Sequence, residues 1–343
     1  MLAIEHPQDV NSQRVDDGSS PLHLALWAGH VDIARMLIDL GANVSAQTKN
    51  GSTALHLALE NDHVDLARML IEHGADVSAR NEYRWTALHL ASRNGHVDLA
   101  RMLIERGADV SAQYKYGLTA LHFASLNGHI DLARMLIERG TDMSAQYEYG
   151  STALHFASLN GHVDLARMLI ERGADVSAQY EHGSTALHFA LKNGHVDLAR
   201  MLIERGADVS AQNEHGSTAL HLASKNDHVD LARMLIERGA DVSAQNEDGS
   251  TALHLASRNG HVDLARMLIE RGADMSAQNE HGSTALHLAS LNGHLDLARM
   301  LERSTCISGP LLRMAYLSSI ILDYCFSVCR LYQPSKCVRQ WLR

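Results

Sequence analysis

Two short amphipathic patterns alternate along most of the chain. Between Asn50 and Glu82, residues Ala54 to Asn61 read as a short helix, with Ala54 and Ala58 small enough for close helix approach. Thr53 precedes it as a candidate N-cap. Asn61-Asp62 ends it, where most other copies have Asn-Gly, a pair suited to left-handed geometry. Val64 to Glu72 predicts a second helix. Its apolar side is Val64, Ala67, Leu70 and Ile71, with Asp65, Arg68 and Glu72 on the opposite face. Arg68 and Glu72 form an i,i+4 pair worth about 0.3 kcal/mol. Gly74 is a stop signal. Ala75 to Glu82 is then expected to run out and back as an extended, hairpin-like finger.

This pattern recurs at a fixed period. T-A-L-H begins at Thr53, Thr86, Thr119, Thr152, Thr185, Thr218, Thr251 and Thr284, 33 residues apart without an insertion. A divergent copy, Ser20-Pro21-Leu22-His23, lies 33 residues before the first. The period predicts a lead segment (1–16), nine units and a tail (302–343). The units run 17–49, 50–82, 83–115, 116–148, 149–181, 182–214, 215–247, 248–280 and a truncated 281–301. Helices this short are unstable alone in water. Stacked side by side, each pair buries its apolar face against the next, which predicts an all-α solenoid.

Gly-x-Thr-Ala-Leu-His-x-Ala, Asn-Gly-His and Gly-Ala-Asp-Val at this period resemble the ankyrin repeat over residues 17 to 301. The resemblance implies helix-turn-helix units with β-hairpin fingers, a curved groove, and binding of other proteins. It also implies that the threonine and histidine of T-x-L-H hydrogen-bond around the start of the first helix. The chain departs from the pattern in three ways. The motif proline is alanine in every unit but the first, Arg84-Trp85 stands where a finger glycine belongs, and Asp62 and Asp227 replace the turn glycine.

Composition narrows the function. With 45% apolar and 20% charged residues, the chain has the makeup of a folded protein. A net charge of −10 disfavours a phosphate backbone as ligand, so no nucleic-acid partner is expected. The opening MLAIEHPQDVNSQ lacks the charged and apolar regions of a secretory signal. All four cysteines (Cys306, Cys325, Cys329, Cys337) lie in the tail, so no disulfide framework holds the repeats. These features predict a cytoplasmic or nuclear protein acting as a monomer. Eighteen of the 23 histidines belong to the repeat, in pairs such as His23/His30 and His56/His63. Their spacing matches no zinc motif, and nine identical hydrogen-bonding roles explain them better. Any catalytic triad would likewise be copied in every unit, and no phosphate loop, nucleophile elbow or HExxH is present. The expectation is a non-enzymatic protein with no metal and no cofactor.

What varies between units points to recognition. Every tyrosine of the array lies in a finger: Tyr83, Tyr114, Tyr116, Tyr147, Tyr149 and Tyr180. Trp85 joins them. Phe123, Phe156 and Phe189 replace the leucine after the T-A-L-H histidine. Three residues on stand Leu126 and Leu159, with Arg93, Lys192, Lys225 and Arg258 at the same position in neighbouring units. Rigid aromatics with arginine nearby are typical of protein interfaces. These twelve aromatic and leucine residues are the candidate partner-binding set. Finger acids (Glu82, Glu148, Glu181, Glu214, Glu247, Glu280) alternate with His182, His215 and His281 and read as solvated tips.

The tail is different in kind. Gly309-Pro310 could open an apolar helix, 310–333, and the segment after Leu301 carries a net +4. It is expected to cap the last unit. Two alternatives are docking to a ubiquitin ligase, as in substrate adaptors of similar layout, and a membrane tether. Arg313, Asp323 and Arg330 oppose the tether.

Overall fold

The structure, a computed structural model, describes residues 9–305. The lead segment to residue 8, the candidate capping helix 310–333 and the tail-dependent alternatives lie outside the described residues. Contacts divide the chain into two compact units, Met1–Ala207 and Asp208–Arg343. Among the described residues there are eighteen α-helices and no strands. In the first unit α1 (Pro21–Trp27) pairs with α2 (Val31–Asp39), and α3 (Ala54–Glu60) with α4 (Val64–Glu72). Then α5 (Ala87–Asn94) pairs with α6 (Val97–Glu105), and α7 (Ala120–Leu126) with α8 (Ile130–Glu138). Next come α9 (Ala153–Leu159) with α10 (Val163–Glu171), and α11 (Ala186–Lys192) with α12 (Val196–Glu204). In the second unit α13 (Ala219–Lys225) pairs with α14 (Val229–Glu237), α15 (Ala252–Asn259) with α16 (Val262–Glu270), and α17 (Ala285–Leu291) with α18 (Leu295–Thr305). Odd-numbered helices pack in a column on odd ones and even on even, each within its unit.

Each odd-numbered helix starts at a reciprocal cap. The side chain of Ser20 or of the motif threonine accepts from the N3 amide, and the N3 histidine reaches back to the cap amide. Ala54, Leu55 and Ala58 of α3 and Leu66, Ala67 and Leu70 of α4 are at most 1% exposed. The buried side of α4 is therefore set by Leu66 together with Ala67, Leu70 and Ile71, while Val64 is only half-buried. Arg68 does not pair with Glu72; its guanidinium donates to the Met102 sulfur of the next pair. Ion pairs instead join successive pairs, as in Arg205–Glu171 at 2.9 Å and Arg271–Glu237 at 3.2 Å. These half-exposed bridges contribute little individually.

The fingers correct the expectation of β-hairpins. They contain only isolated bridges, Gln47 to Thr53, Tyr147 to Ser151 and Gln179 to Thr185. The tip closes tightly, with the Tyr147 amide donating to the Ser151 carbonyl at 2.8 Å and the Gly150 amide to the Tyr147 carbonyl at 2.8 Å. The outgoing arm is taken up by local turns instead of a ladder: Ser144 N donates to the Asp142 carboxylate at 2.8 Å, and Ser111 N to that of Asp109 at 2.9 Å. Neighbouring fingers are joined by single backbone bonds, such as Lys115 N to Tyr83 O at 3.2 Å.

One core position is suboptimal. Ser92, Ser125, Ser158, Ser224 and Ser257 are fully buried, and their hydroxyls have no hydrogen-bond partner. Leucine fills the same place at Leu26, Leu59 and Leu191. Ser158→Ala is expected to raise the stability by about 1 kcal/mol by removing an unmet polar group. Urea unfolding measures this; a decrease would mean that the hydroxyl is bonded back to its own helix.

Candidate protein interface

The aromatic residues fall into layers built alike. In each, a finger tyrosine lies over an odd-helix phenylalanine, which in turn meets the capping histidine of the preceding pair edge-on. Tyr114 is 6.2 Å from Phe123, and Phe123 is 5.8 Å from His89. Tyr147 is 5.9 Å from Phe156, and Phe156 is 5.7 Å from His122. Tyr180 is 6.3 Å from Phe189, and Phe189 is 5.8 Å from His155. Centroid separations of this size are those of attractive ring pairs.

Contacts between fingers add to two of the layers. Trp85 stacks on Tyr114 at 4.6 Å and on Phe123 at 4.8 Å, and the Arg93 guanidinium lies over its ring at 5.4 Å. Tyr149 meets Tyr180 at 6.2 Å. Lys115 sits over the Tyr116 ring at 4.9 Å, and its ammonium is held above its usual pKa first by the Tyr116 hydroxyl, then by Tyr114 and Tyr83. Burial raises the Tyr147 phenol, with Glu148, Tyr114, Tyr116 and Tyr180 adding to it.

The twelve candidate residues differ in access. Tyr83, Tyr116 and Tyr149 are exposed at the finger tips, and Leu126 and Leu159 are exposed on α7 and α9. Trp85, Tyr114, Tyr147, Tyr180, Phe156 and Phe189 are half-buried. Phe123 is buried, at 6% exposure, because Trp85 covers it, so it supports the surface from below. Tyr116 and Tyr149 hold left-handed backbone, with φ of 70° and 68°. In four fingers an asparagine side chain (Asn81, Asn213, Asn246 or Asn279) braces the tip, as Asn81 does by accepting from Tyr83 N and Trp85 N. Tyr114, Tyr147 and Tyr180 occupy that asparagine's place and cannot do so.

Sequence reasoning missed Trp27, the most exposed large aromatic among the described residues at 77%. It lines a groove of about 830 Å³ with Glu60, Tyr83 and Trp85. Its signal was available: Trp27 and Glu60 stand at the same repeat position as Arg93, Leu126 and Leu159. Burial raises the Glu60 carboxyl, and Arg93 lowers it in part.

Most of the paired histidines are committed to hydrogen bonds at both ring nitrogens or one, while Nε2 of His23, His63, His155 and His228 is buried without a partner. His56 Nδ1 accepts from the Thr53 amide at 3.2 Å, and Nε2 donates to the Trp85 carbonyl of the next pair at 3.0 Å. In five motifs the second histidine reaches back across the inter-helix turn to a carbonyl, as His129 Nε2 does to that of Arg93 at 3.2 Å. Among the described residues no group of three or more His, Cys, Asp or Glu side chains could hold a metal ion, and no helix is long and apolar enough to cross a membrane.

A three-copy ankyrin-repeat model matches residues 40–114, 112–180, 176–246 and 241–306, and a many-copy ankyrin model matches residues 1–58. The chain belongs to the ankyrin-repeat family. Eighteen described helices fit nine ankyrin helix pairs. No curated protein matches the chain. Ankyrin repeats are generally protein-interaction domains and typically non-enzymatic. In this ankyrin array the fixed positions are spent on caps, turns and core, leaving the aromatic layers as its distinctive surface.

Proposed function

We propose that this protein is a protein–protein interaction scaffold or adaptor, working as a monomer in the cytoplasm or nucleus. It grips a partner through the fingers and odd-numbered helices of residues 83–189. The observation that carries this reading is the succession of three like-built ring clusters between Trp85 and Phe189, on a surface that keeps Tyr83, Tyr116 and Tyr149 exposed. Aromatic anchors of this kind dominate binding energy at interfaces.

The test is affinity capture with the full chain against a variant carrying Tyr114→Ser, Tyr116→Ser, Tyr147→Ser and Tyr149→Ser. A partner held by the first is expected to be lost by the second, with affinity down at least about tenfold. Tyr116→Ser with Tyr149→Ser alone, at exposed tips, controls for destabilisation. Unchanged capture by the fourfold variant sinks the proposal.

A further inference from the structure

We infer that the aromatic layers of residues 83–189 bind a proline-rich segment in the polyproline II conformation, carrying a basic residue at one end. This rests on the surface reading above and names the ligand's chemistry.

The first argument is periodicity. The layers repeat every 33 residues on helices α7, α9 and α11, which pack directly on one another. Packed helices are separated by roughly 8–10 Å. A polyproline II helix makes one turn of three residues in about 9 Å. Every third residue of such a ligand thus meets the same feature of the next layer. A β-strand returns to the same face after about 7 Å and drifts out of step.

The second argument is hydrogen bonding. The surface is rich in tyrosine instead of leucine or methionine, and Tyr83, Tyr116 and Tyr149 expose their hydroxyl-bearing rings. Polyproline II has no internal hydrogen bonds, so its carbonyls are free to accept from those hydroxyls. An α-helix can match the layer spacing with residues seven apart, but its carbonyls are already bonded. Proline rings also dock well in aromatic-lined grooves.

The third argument is charge. Glu148 directly precedes Tyr149 at its finger tip, and the Glu181 amide of the next finger donates to the Tyr149 carbonyl, so both acidic residues stand beside Tyr149; both hold its phenol above the usual pKa, Glu148 first. Among the described residues no basic side chain makes an ion pair with Glu148 or Glu181. At the other end Lys115 lies over Tyr116 and Arg93 over Trp85. The ligand's lysine or arginine therefore lies over Glu148 and Glu181.

The experiment titrates the full chain with a synthetic peptide bearing proline at every third position and arginine at one end. Tryptophan fluorescence and calorimetry follow binding. Saturable binding is expected. Tyr149→Phe, which removes an exposed hydroxyl and keeps the ring, is expected to weaken it about threefold, and Tyr116→Ala with Tyr149→Ala at least about tenfold. Glutamate in place of the peptide's arginine is expected to weaken it as well. If an alanine-based helical peptide with apolar residues seven apart binds through these tyrosines and the proline peptide does not, this inference is overturned while the interface reading stands. The same holds if neither peptide binds. Binding indifferent to every tyrosine change overturns both.

Discussion

Acidification from neutral pH toward pH 4 is expected to cost this protein several kcal/mol of stability, lost mainly below about pH 6.5. The cause is the buried histidine of each reciprocal cap. At His89 and His122 the Nδ1 atom accepts from the threonine amide at 3.2 and 3.1 Å. Nε2 donates to a carbonyl further along the chain, Ala112 at 3.0 Å and Ser151 at 3.3 Å. That pattern requires the neutral ring with its proton on Nε2. A second proton would turn Nδ1 from acceptor to donor against an amide, inside the core. Burial accordingly pushes the pKa of both rings down to about 4 from the usual 6.5. Between those values the unfolded chain binds more protons than the folded one, so stability falls as pH falls. Each of these two rings contributes roughly 3 kcal/mol above pH 6.5, gone below pH 4. His23, His56, His155, His221 and His254 are lowered in the same direction, first by burial. Urea midpoints followed by circular dichroism from pH 8 to pH 4 measure the effect. Glutamine can also close a reciprocal cap but does not titrate. His89→Gln with His122→Gln is therefore expected to flatten the slope. A midpoint constant over this range would show that the rings do not titrate on unfolding.

How much of this was legible follows from where each interaction closes. Helix starts were legible because the cap joins residues three apart, Thr53 to His56, and the pattern recurs in every copy. The inter-helix turns were legible because asparagine and glycine carry their own backbone preferences. The finger was misread as a hairpin because both readings send the chain out and back. Only the geometry shows Asp142 and Ser144 taking up the arm that a ladder would need. That the copies stack was legible, but the particular polar contacts between them were not. Arg68 donates to Met102 of the next pair and not to Glu72, a partner that exists only once the pairs are stacked. The aromatic positions were found from composition, yet their depth was not, since Phe123 is covered by Trp85 from the preceding finger. Trp27 was passed over because the aromatic run was traced from the tyrosines, although it shares the Leu126 position.

Gly128→Ala is expected to destabilise the protein by about 2–3 kcal/mol, more than an ordinary left-handed glycine explains. Gly128 has φ of +75°, and an added Cβ would stand 2.7 Å from the His162 ring of the next pair. That ring lies across the turn because its Nε2 donates to the Leu126 carbonyl at 3.2 Å. Alanine there strains the backbone by about 1 kcal/mol and displaces the ring, losing about 1 kcal/mol more with its hydrogen bond. Gly140→Ala is the control: φ is +87° but nothing lies within 4 Å of the new methyl, so only the backbone cost of about 1 kcal/mol is expected. His162→Ala should remove the overlap, so the double variant is expected to cost about 1 kcal/mol less than the two single changes together. The protein contains its own comparison at this turn. Asp62 and Asp227 adopt the same left-handed backbone, with φ of 61° and 58°. There His96 Nε2 meets the Asp62 carboxylate at 2.5 Å, so a side chain that accepts a hydrogen bond replaces a clash with a contact. Gly128→Asp is therefore expected to cost less than Gly128→Ala despite its larger side chain. Urea unfolding of the five variants decides it: equal losses for Gly128→Ala and Gly140→Ala would show that the histidine ring yields freely and that this ladder of rings does not couple one pair to the next.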